Sequence, residues 1–480
     1  MAYSKLDSNA PDHASLISDG FCPAGPDYFL NTWIPLVSLE DMQKNEYDVL
    51  IVGSGAGGGS ALWRICQQWS KKNKKIGVIE AGNLLLPTNV NNIPTLAGHV
   101  DNYMLNPRIT NPIGAPDLPG DREAIAFGGK SLFWAGHSIR FQPFEYADWP
   151  VTQKEMEYYY NIAEQVMNVS VPPRTSGTEQ FLNRLWAYGY TEAKEIPNAG
   201  SLGLQEGRIQ EQVRYSSLVA IGKAINLSPV DIAVNARAVQ IKPYQGGGIG
   251  VIAATPDQRR FEVRSRAVIL AANAFQTPRL LLSSGIQGKA IGHYLVHHPF
   301  IVATLIANPS NPVPAFQPVF IPQQPDRLNH KNMYSGPEGI TLTLFTKVES
   351  RYPNSISLDY SRLNAYGQPL ISTHFHQSDR DRSVFAQAVD EIPAFANQLD
   401  ATIESICTKI PGSDYHVAAT CRMGDDWNSS ATNRYGQVHG IKGLFVADNS
   451  VLPSIGSTNP TLTTVALAIR TADYISQLQL

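Results

Sequence analysis

Residues 47–82 read YDVLIVGSGAGGGSALWRICQQWSKKNKKIGVIEAG, and the interpretation of the rest of the chain starts from them. The apolar, β-branched run at residues 47–52 predicts a strand that is buried on both faces. Glycines with the spacing G-x-G-x-x-G come next, and apolar residues at helical spacing follow them. A second apolar run predicts another buried strand at residues 75–79. Strand, glycine turn, helix and strand in this order predict a parallel βαβ unit.

The glycines and the acid of this unit each have a physical reason. Gly53 permits the tight turn, Gly55 lets the backbone approach a pyrophosphate, and Gly58 lets helix and strand pack closely. Glu80 lies 22 residues after Gly58 and is suited to accept hydrogen bonds from a ribose hydroxyl. An ordinary glycine-rich turn remains the alternative. The predicted nucleotide contacts are Gly53, Ser54, Gly55, Ala56, Gly58, Glu80 and Ala81.

Composition excludes several classes of protein. The chain has 480 residues, is 43% hydrophobic and carries a formal net charge of −3, which gives no support for nucleic-acid binding or a charged membrane surface. No apolar run reaches the ~18 residues of a membrane span, and the first residues do not resemble a secretion signal. The four cysteines are scattered without a C-x-x-C pair. We therefore expect a cytoplasmic protein without a metal site.

Residues 126–141 read AFGGKSLFWAGHSIRF. Gly128, Gly129 and Ser131 allow the backbone to come close to a flat ligand. Trp134 can pack on or beside such a ligand. Residue chemistry alone leaves two readings equally open here, which are loop structure and cofactor contact.

The remaining pattern predicts a second layer and a return to the first. A second glycine cluster lies between two predicted strands and is therefore a hairpin turn, not another nucleotide site. Residues 292–397 often alternate with a period of two, which predicts a mostly antiparallel sheet with helical cover. The other predicted elements are helices at residues 153–167 and 178–188, strands at 230–242 and 249–254, and a buried strand, tight turn and short helix at 267–274 and 278–285.

The last seventy or so residues carry two polar segments of interest. Residues 415–424 read YHVAATCRMG and contain His416, for which a buried and satisfied core histidine is the structural alternative. Residues 457–463 read STNPTLT and open a final helix. Pro460 suits the first helical position and Asn459 the N-cap, so Asn459 has a purely structural interpretation as well.

Together these segments resemble the glucose–methanol–choline (GMC) family of FAD-dependent oxidoreductases. The resemblance covers residues 47–82, 128–141 and 267–285, the G-x-x-L-x-x-H segment at 292–298, and nearly all of 413–475. Within the family, the glycine-rich loop and the Asn-Pro-Thr-Leu-Thr run are most similar to those of the pyranose oxidases.

The resemblance implies an interleaved α/β fold. A Rossmann-like FAD-binding domain would combine residues 46–143, 205–290 and 411–480. An α+β substrate-binding domain, built on a largely antiparallel sheet, would combine residues 144–204 and 291–410. Independently of the resemblance, the prolines among aromatic residues in residues 1–45 predict an N-terminal arm over the surface, with a poorly ordered leader as the alternative.

The resemblance also implies a chemistry. His416 is the expected general base for a substrate hydroxyl while a hydride passes to flavin N5, and Asn459 is the expected donor to the substrate oxygen. Family members with covalent FAD use a histidine where this chain has Phe133, so we expect non-covalent FAD. The further expected cofactor contacts are Gly128, Gly129, Ser131, Trp134, Ala238, Asp448, Asn449, Pro460 and Thr461.

Three functional hypotheses follow. The first is FAD-dependent oxidation of a sugar, polyol or similar alcohol, with oxygen or another compound as electron acceptor. The second is a lyase on the same fold, of the cyanohydrin-cleaving or decarboxylating type. The third is an FAD-binding protein without turnover. The intact pair of His416 and Asn459 favours the first.

Overall fold

The structure, a computed structural model, describes residues 34–93, 95–96, 110–205, 208–336 and 339–478. Its helices in these ranges are α1 (Leu39–Met42), α2 (Ala56–Gln68), α3 (Gln153–Met167), α4 (Ser176–Ala187), α5 (Ser217–Ile225), α6 (Asn273–Ser283), α7 (Asp379–Gln398) and α8 (Thr461–Gln477).

The strands of the same ranges fall into five sheets. They are β1 (Glu46–Val52), β2 (Ile76–Ile79), β3 (Thr110–Pro112), β4 (Arg122–Ala124), β5 (Val169–Ser170), β6 (Lys194–Glu195), β7 (Asn198–Gln205), β8 (Arg208–Arg214), β9 (Val230–Ala233), β10 (Arg237–Pro243), β11 (Ile249–Ala254), β12 (Arg260–Leu270), β13 (Phe300–Ala307), β14 (Val319–Ile321), β15 (Asn329–Gly336), β16 (Gly339–Thr346), β17 (Ser355–Leu363), β18 (Pro369–His374), β19 (Ala401–Thr408) and β20 (Leu444–Val446).

The first large sheet is mixed and has β1 near its centre. Its order is β10-β11-β12-β1-β2-β9, with β20 also paired to β12. The pairs of β1 with β12 and β2, of β2 with β9, and of β12 with β20 are parallel. The carboxyl ends of these strands therefore meet at one edge of the sheet, where open α/β sheets bind ligands. The buried strand predicted at residues 47–52 is confirmed.

Helices α2, α5 and α8 pack together beside this sheet. Their buried residues belong to the same hydrophobic core as β1, β2 and β12. Arg64 of α2 donates from Nε and Nη2 to the two carboxylate oxygens of Asp473 of α8, at 2.5 and 2.8 Å. Because the pair is bidentate and largely shielded from water, it fixes the C-terminal helix against the helix that follows the glycine turn.

The second large sheet has the order β19-β13-β16-β15-β14-β6, and all its pairs are antiparallel. Helix α7 covers one face, where Ile392 and Phe395 pack on alternate residues such as Leu342 and Met333. The predicted antiparallel sheet with helical cover is thus confirmed. The two sheets together confirm the predicted fold class, a Rossmann-like α/β unit joined to an α+β unit.

Three local predictions are wrong. Residues 230–242 form two strands, β9 and β10, because Asn235 between them has a positive φ of 51° that breaks the extended backbone. The strand predicted through residue 274 ends at Leu270, and α6 already begins at Asn273, five residues before Pro278. Pro278 lies inside the helix and cannot donate to the carbonyl of Ala274, which instead accepts a hydrogen bond from Thr420 Oγ1 at 2.6 Å.

Other local predictions agree with the structure. The helix at 153–167 is confirmed, the helix predicted at 178–188 spans Ser176–Ala187, and β10 and β11 form the expected hairpin around the second glycine cluster. Most of the predicted N-terminal arm lies outside the described residues. Of the remainder, Leu36 forms a bridge with Ile232 of β9. The division of the chain at residues 143, 204, 290 and 410 stays a prediction.

Candidate active site

A cavity of about 460 Å³ is lined by residues that follow the carboxyl ends of β1, β2 and β12 and by residues of β13, β15 and β16. Among the predicted site residues, those that line it are Gly53, Ser54, Gly55, Ala56, Glu80, Ala81, Gly129, Ser131, Trp134, Ala238, His416, Asp448, Asn449, Asn459 and Thr461. Gly58, Gly128 and Pro460 are not part of the lining. We call residues 53–57, 80–81 and 236–238 the glycine-turn wall, and Phe300, Asn332, Tyr334 and Phe345 the strand wall.

The three glycines of the turn have different surroundings. Gly53 has a φ of +99°, and a Cβ there would lie 2.4 Å from the carbonyl oxygen of Ala271. A Cβ on Gly58 would lie 1.9 Å from the carbonyl oxygen of Gly53, so helix and turn are in direct contact. A Cβ on Gly55 would meet no described atom within 4 Å. Gly55 therefore opens directly onto the cavity.

Helix α2 begins at this opening. Its N-cap is Gly55, and no side chain of the described chain caps it. The first N–H groups and the positive end of the helix dipole are thus available at the cavity surface. Open space, free N–H groups and a positive dipole are what a pyrophosphate requires, so this part of the cavity fits a dinucleotide cofactor.

Glu80 is buried at the end of β2. Its Oε2 accepts hydrogen bonds from the N and Oγ of Ser54, at 3.0 and 2.6 Å, and its Oε1 accepts one from the N of Gly82 at 2.8 Å. Burial raises the pKa of Glu80, while these hydrogen bonds and the charge of Arg237 oppose the shift. Since Oε1 receives a single bond from the described residues, it keeps a lone pair for a ligand hydroxyl.

The glycine-rich loop at residues 126–141 is tied to the same turn. Gly128 has a φ of +107°, and its N–H donates to Ser54 Oγ at 2.9 Å. Ser131 Oγ donates to the carbonyl of Gly128 at 2.6 Å, and Trp134 Nε1 donates to the carbonyl of Tyr215 at 2.7 Å. These polar side-chain groups thus bind the chain itself. The loop contributes shape and an aromatic ring to the cavity.

Asp448 and Asn449 also line the cavity with polar groups that are already engaged. Asp448 Oδ2 accepts from the N of Asn273 and Oγ1 of Thr277, at 3.0 and 2.6 Å, and Oδ1 accepts from the N and Oγ of Ser450. Asn449 Oδ1 accepts from Oγ1 of Thr464. Asp448 therefore joins the start of α6 to the C-terminal segment.

His416 lies in a hydrogen-bonded pair with His298, a residue of the G-x-x-L-x-x-H segment. The two Nδ1 atoms are 3.0 Å apart, and His298 Nε2 lies 3.1 Å from the carbonyl oxygen of Gly456. Burial lowers the pKa of His298 to about 3 and that of His416 to about 4, so both rings are neutral near pH 7.

The tautomers of the two rings follow from these partners. A carbonyl oxygen only accepts, so His298 Nε2 carries the hydrogen and His298 Nδ1 is an acceptor. His416 Nδ1 must then donate to it, which leaves His416 Nε2 without a proton. The Nδ2 group of Asn459 donates to this Nε2 at 3.2 Å. This lone pair of a neutral imidazole lies at the cavity surface and is occupied by the Asn459 N–H, so a substrate hydroxyl has to displace that N–H before Nε2 can act as a general base.

Asp414 fixes the backbone of both histidines. Its Oδ2 accepts from the backbone N of His298 at 2.8 Å and of His416 at 3.2 Å, while Oδ1 lies 3.3 Å from His297 Nδ1. Burial alone would raise the pKa of Asp414, but its neighbours, His297 first among them, hold it below its usual value. The carboxylate therefore orients the segments that carry the two rings.

Asn459 is not a helix cap. Helix α8 begins at Thr461, its N-cap is Pro460, and no side-chain cap is found in the described chain. The reason is that the Asn459 amide is directed to His416, and its Oδ1 is buried without a hydrogen-bond partner among the described residues. The cap interpretation is wrong, and Pro460 stands one position earlier than predicted.

The sequence missed the strand wall. On β15, Lys331 and Met333 face the core that α7 covers, whereas Asn332 and Tyr334 line the cavity. Phe345 stacks on Phe300 with ring centroids 5.4 Å apart and lies 5.4 Å from the ring of His416. The alternation along β15 was a usable signal, but the sequence does not say which face meets the cavity.

Two absences were predicted. Ligand atoms of His298, Asp414 and His416 lie within 4.8 Å of one another, a spacing that a metal ion could use, although the two histidines already share a hydrogen bond. The absence of a metal site stays a prediction.

In the described ranges no helix is both long and apolar enough to cross a membrane. The cytoplasmic location also stays a prediction.

Several relatives named for their activities are similar to this chain over 44% to 90% of its length. A 2-methyl-1,2-propanediol dehydrogenase from Mycolicibacterium austroafricanum is 23% identical over 90% of this chain and 96% of its own. A C-glycoside 3-oxidase from Microbacterium trichothecenolyticum is 30% identical over 50% of this chain and 52% of its own. A pyranose 2-oxidase from Tricholoma matsutake is 24% identical over 44% of this chain and 47% of its own.

The fold has a solved counterpart, and the family is shown by two further matches. The crystal structure of pyridoxine 4-oxidase from Mesorbium loti aligns with a TM-score of 0.66 and 16% identity, over 89% of this chain and 99% of that one. Two family models, both described as GMC oxidoreductase, match residues 121–300 and 350–468. These segments span more than half of the chain, so the protein belongs to the GMC oxidoreductases, a family of FAD-binding flavoproteins.

Proposed function

We propose that this oxidoreductase oxidises a sugar, polyol or similar alcohol, with FAD bound along the glycine-turn wall. The observation that carries the proposal is the series of hydrogen bonds from the Gly456 carbonyl through His298 to His416, from which we deduce an unprotonated His416 Nε2 beside the amide of Asn459. FAD, when bound, supplies the acceptor for the hydride that leaves the substrate carbon. The chain itself supplies binding, orientation and proton transfer.

The proton step uses His416. Its Nε2 takes the proton of the substrate hydroxyl, and the resulting positive charge is stabilised by the ionised Asp414 close by. When the substrate hydroxyl takes the place of the Asn459 N–H at Nε2, the Asn459 amide donates to the substrate oxygen as negative charge develops there, without itself titrating. The N-terminus of α8 at Thr461, which lines the cavity, favours negative charge in the same region.

The cofactor contacts divide by role. The free N–H groups at the start of α2 would bind the pyrophosphate, and Glu80 Oε1 would accept from the adenosine ribose. Asp448, Asn449 and Ser131 would shape the wall without donating or accepting, because the chain engages their side chains. Phe300 and Phe345 would exclude water from the reacting atoms.

We further propose that FAD is held without a covalent bond. Phe133, which lines the cavity, offers no nucleophile for attachment. The flavin should therefore be released when the protein is precipitated in acid or unfolded in urea. Flavin that stays with the precipitated polypeptide would contradict this, and His137 would be the first residue to examine.

The experiment for the main proposal is an anaerobic screen of alcohols, polyols and sugars with the yellow holoprotein. The expected result is loss of the oxidised-flavin absorbance with a hydroxyl substrate and its return when an electron acceptor is admitted. Product formation without loss of the absorbance would indicate the lyase hypothesis instead. A holoprotein that no compound bleaches or converts would favour the non-catalytic hypothesis.

A further inference from the structure

The strand wall contains a buried amide that the proposed chemistry does not use. Asn332 lies in the middle of β15, is fully buried, and lines the same cavity as His416. His330 Nε2 donates to Asn332 Oδ1 at 2.8 Å. Burial lowers the pKa of His330 to about 3, so the ring is neutral and uses a single N–H for this bond. One end of the amide is thereby fixed.

The other end of the amide is unsatisfied. Asn332 Nδ2 has no hydrogen-bond partner anywhere in the described chain. Burial raises the pKa of Tyr334, and the charge of Arg214 and then the Asn332 amide oppose this rise. The amide therefore lies near the Tyr334 hydroxyl, but the two form no hydrogen bond of normal geometry. Buried polar groups normally have partners, and a buried donor without one, on a residue that lines a cavity, points to a ligand that supplies the acceptor.

The backbone around Asn332 holds its amide in a fixed position. Asn332 is paired with Thr343 of β16 in the centre of an antiparallel ladder, and its neighbours Lys331 and Met333 are anchored on the α7 side. The amide therefore occupies a fixed place that the backbone ladder sets. A donor held in this way discriminates between ligands. If a ligand lacks the matching acceptor, the amide cannot move to find another partner, and the free-energy cost of the buried unpaired donor lowers the affinity for that ligand.

The cavity thus offers hydrogen-bonding groups from two separate elements. His416 and Asn459 can engage one hydroxyl, at the carbon to be oxidised. Asn332, on a different sheet strand, is left for a second oxygen. A simple alcohol with one hydroxyl satisfies only the first set and leaves the amide unpaired.

We propose that Asn332 Nδ2 donates to a second oxygen of the substrate and so selects polyhydroxylated compounds, sugars and cyclic polyols, over alcohols with a single hydroxyl. This rests on the proposed alcohol oxidation and adds the residue that chooses its substrate. Phe300 and Phe345 supply the flat apolar surface beside it, against which the C–H groups of a sugar ring pack.

The test compares three ring compounds of similar size in anaerobic flavin reduction: D-glucose, trans-1,2-cyclohexanediol and cyclohexanol. The variants are Asn332→Leu and Asn332→Asp. The second keeps an oxygen for His330, removes the amide donor and adds a carboxylate charge that repels a substrate oxygen. Both should lose about 10–100-fold in reduction efficiency with glucose and the diol, and change little with cyclohexanol. Met333→Leu, on the same strand but facing α7, is the control and should keep the wild-type preference.

The outcomes separate the two proposals. If cyclohexanol and the diol reduce wild-type flavin equally well, or if both Asn332 variants lose the same factor with all three compounds, the role of Asn332 is overturned while alcohol oxidation stands. If no hydroxyl compound reduces the wild-type flavin, the proposed function itself fails. Thermal melting of each holoprotein variant identifies a loss of folding, and Asn332→Asp then decides the matter if Asn332→Leu is unstable.

Discussion

The glycine-turn wall and the strand wall of the cavity differ in the kinds of polar group that they leave for a ligand. Glu80 receives hydrogen bonds from Ser54 and Gly82, all within one βαβ unit. On the strand wall, Asn332 Nδ2 has no partner among the residues described. The first wall offers the backbone N–H groups at the start of α2 and the buried Nε of Arg237, which has no partner among the described residues, and these donors suit an anionic cofactor. The second offers a free side-chain atom, which suits selection among small substrates.

Substitution of His416, which belongs to neither wall, should have the largest effect on the rate of flavin reduction. His416→Ala should keep the bound FAD yet slow anaerobic flavin reduction by about 10²–10⁴-fold, because the base is lost. Stopped-flow absorbance and the ratio of flavin to protein measure the two quantities. Loss of FAD or of stability with a nearly normal reduction rate would instead show a packed core histidine.

Substitution of Asn459 should have the second largest effect on the rate of flavin reduction. Asn459→Asp removes the donor and places a negative charge beside His416 Nε2, so reduction should slow by about 10–100-fold. The charge stabilises the imidazolium and should also move the acid limb of the rate to higher pH. Asn459→Ser keeps a hydroxyl donor and should lose less. Because Asn459 does not cap α8, both variants should fold normally; wild-type kinetics in both would remove Asn459 from the reaction.

A matched glycine pair tests the glycine-turn wall. Gly58→Ala places a methyl group against the backbone carbonyl of Gly53 and should lower stability by about 1–3 kcal/mol. Gly55→Ala meets open space, so the apoprotein should melt as the wild type does while its affinity for FAD falls. Thermal melting of apoprotein and flavin titration distinguish the two. Equal melting temperatures with unchanged FAD affinity in both would contradict the assigned roles.

His298 should have the smallest of these effects, because it acts through His416. His298→Phe removes the acceptor of the His416 Nδ1 proton and should slow reduction by about 10-fold. His298→Gln keeps an acceptor oxygen and should recover part of the rate. The pH profile is the decisive readout, since a purely structural role would lower stability without moving the acid limb. An unchanged rate and limb in both variants would contradict the deduced tautomer.

Most of the glycine-turn wall could be predicted from the sequence because its residues lie close together along the chain. Gly53, Gly55, Gly58 and Glu80 fall within one βαβ unit, where spacing and backbone chemistry determine the geometry. His416 was reached through family motifs. The error at Asn459 has a clear cause. An Asn-Pro pair before a helix predicts an N-cap, but here the Asn459 amide forms a hydrogen bond with His416, which comes from another segment of the chain.

The strand wall could not be predicted from the sequence, because its place at the cavity depends on how the two sheets pack. Asn332 alternates with core residues on β15, as in any half-buried strand. Only the packing of the second sheet against the first determines which face meets the cavity. The same holds for His298, whose contact with His416 joins positions 118 residues apart. Contacts of this kind depend on tertiary structure and leave no local spacing signal.

The most direct test of the central claim is the pH dependence of anaerobic flavin reduction, measured by pH jump in wild type and His416→Ala. Burial lowers the pKa of His416 to about 4, and the base works only when it is unprotonated. The wild-type rate should therefore be constant around neutral pH and fall as the pH drops through about 4, and His416→Ala should lack this limb. The same limb in both proteins, or no flavin reduction in either, would contradict the account.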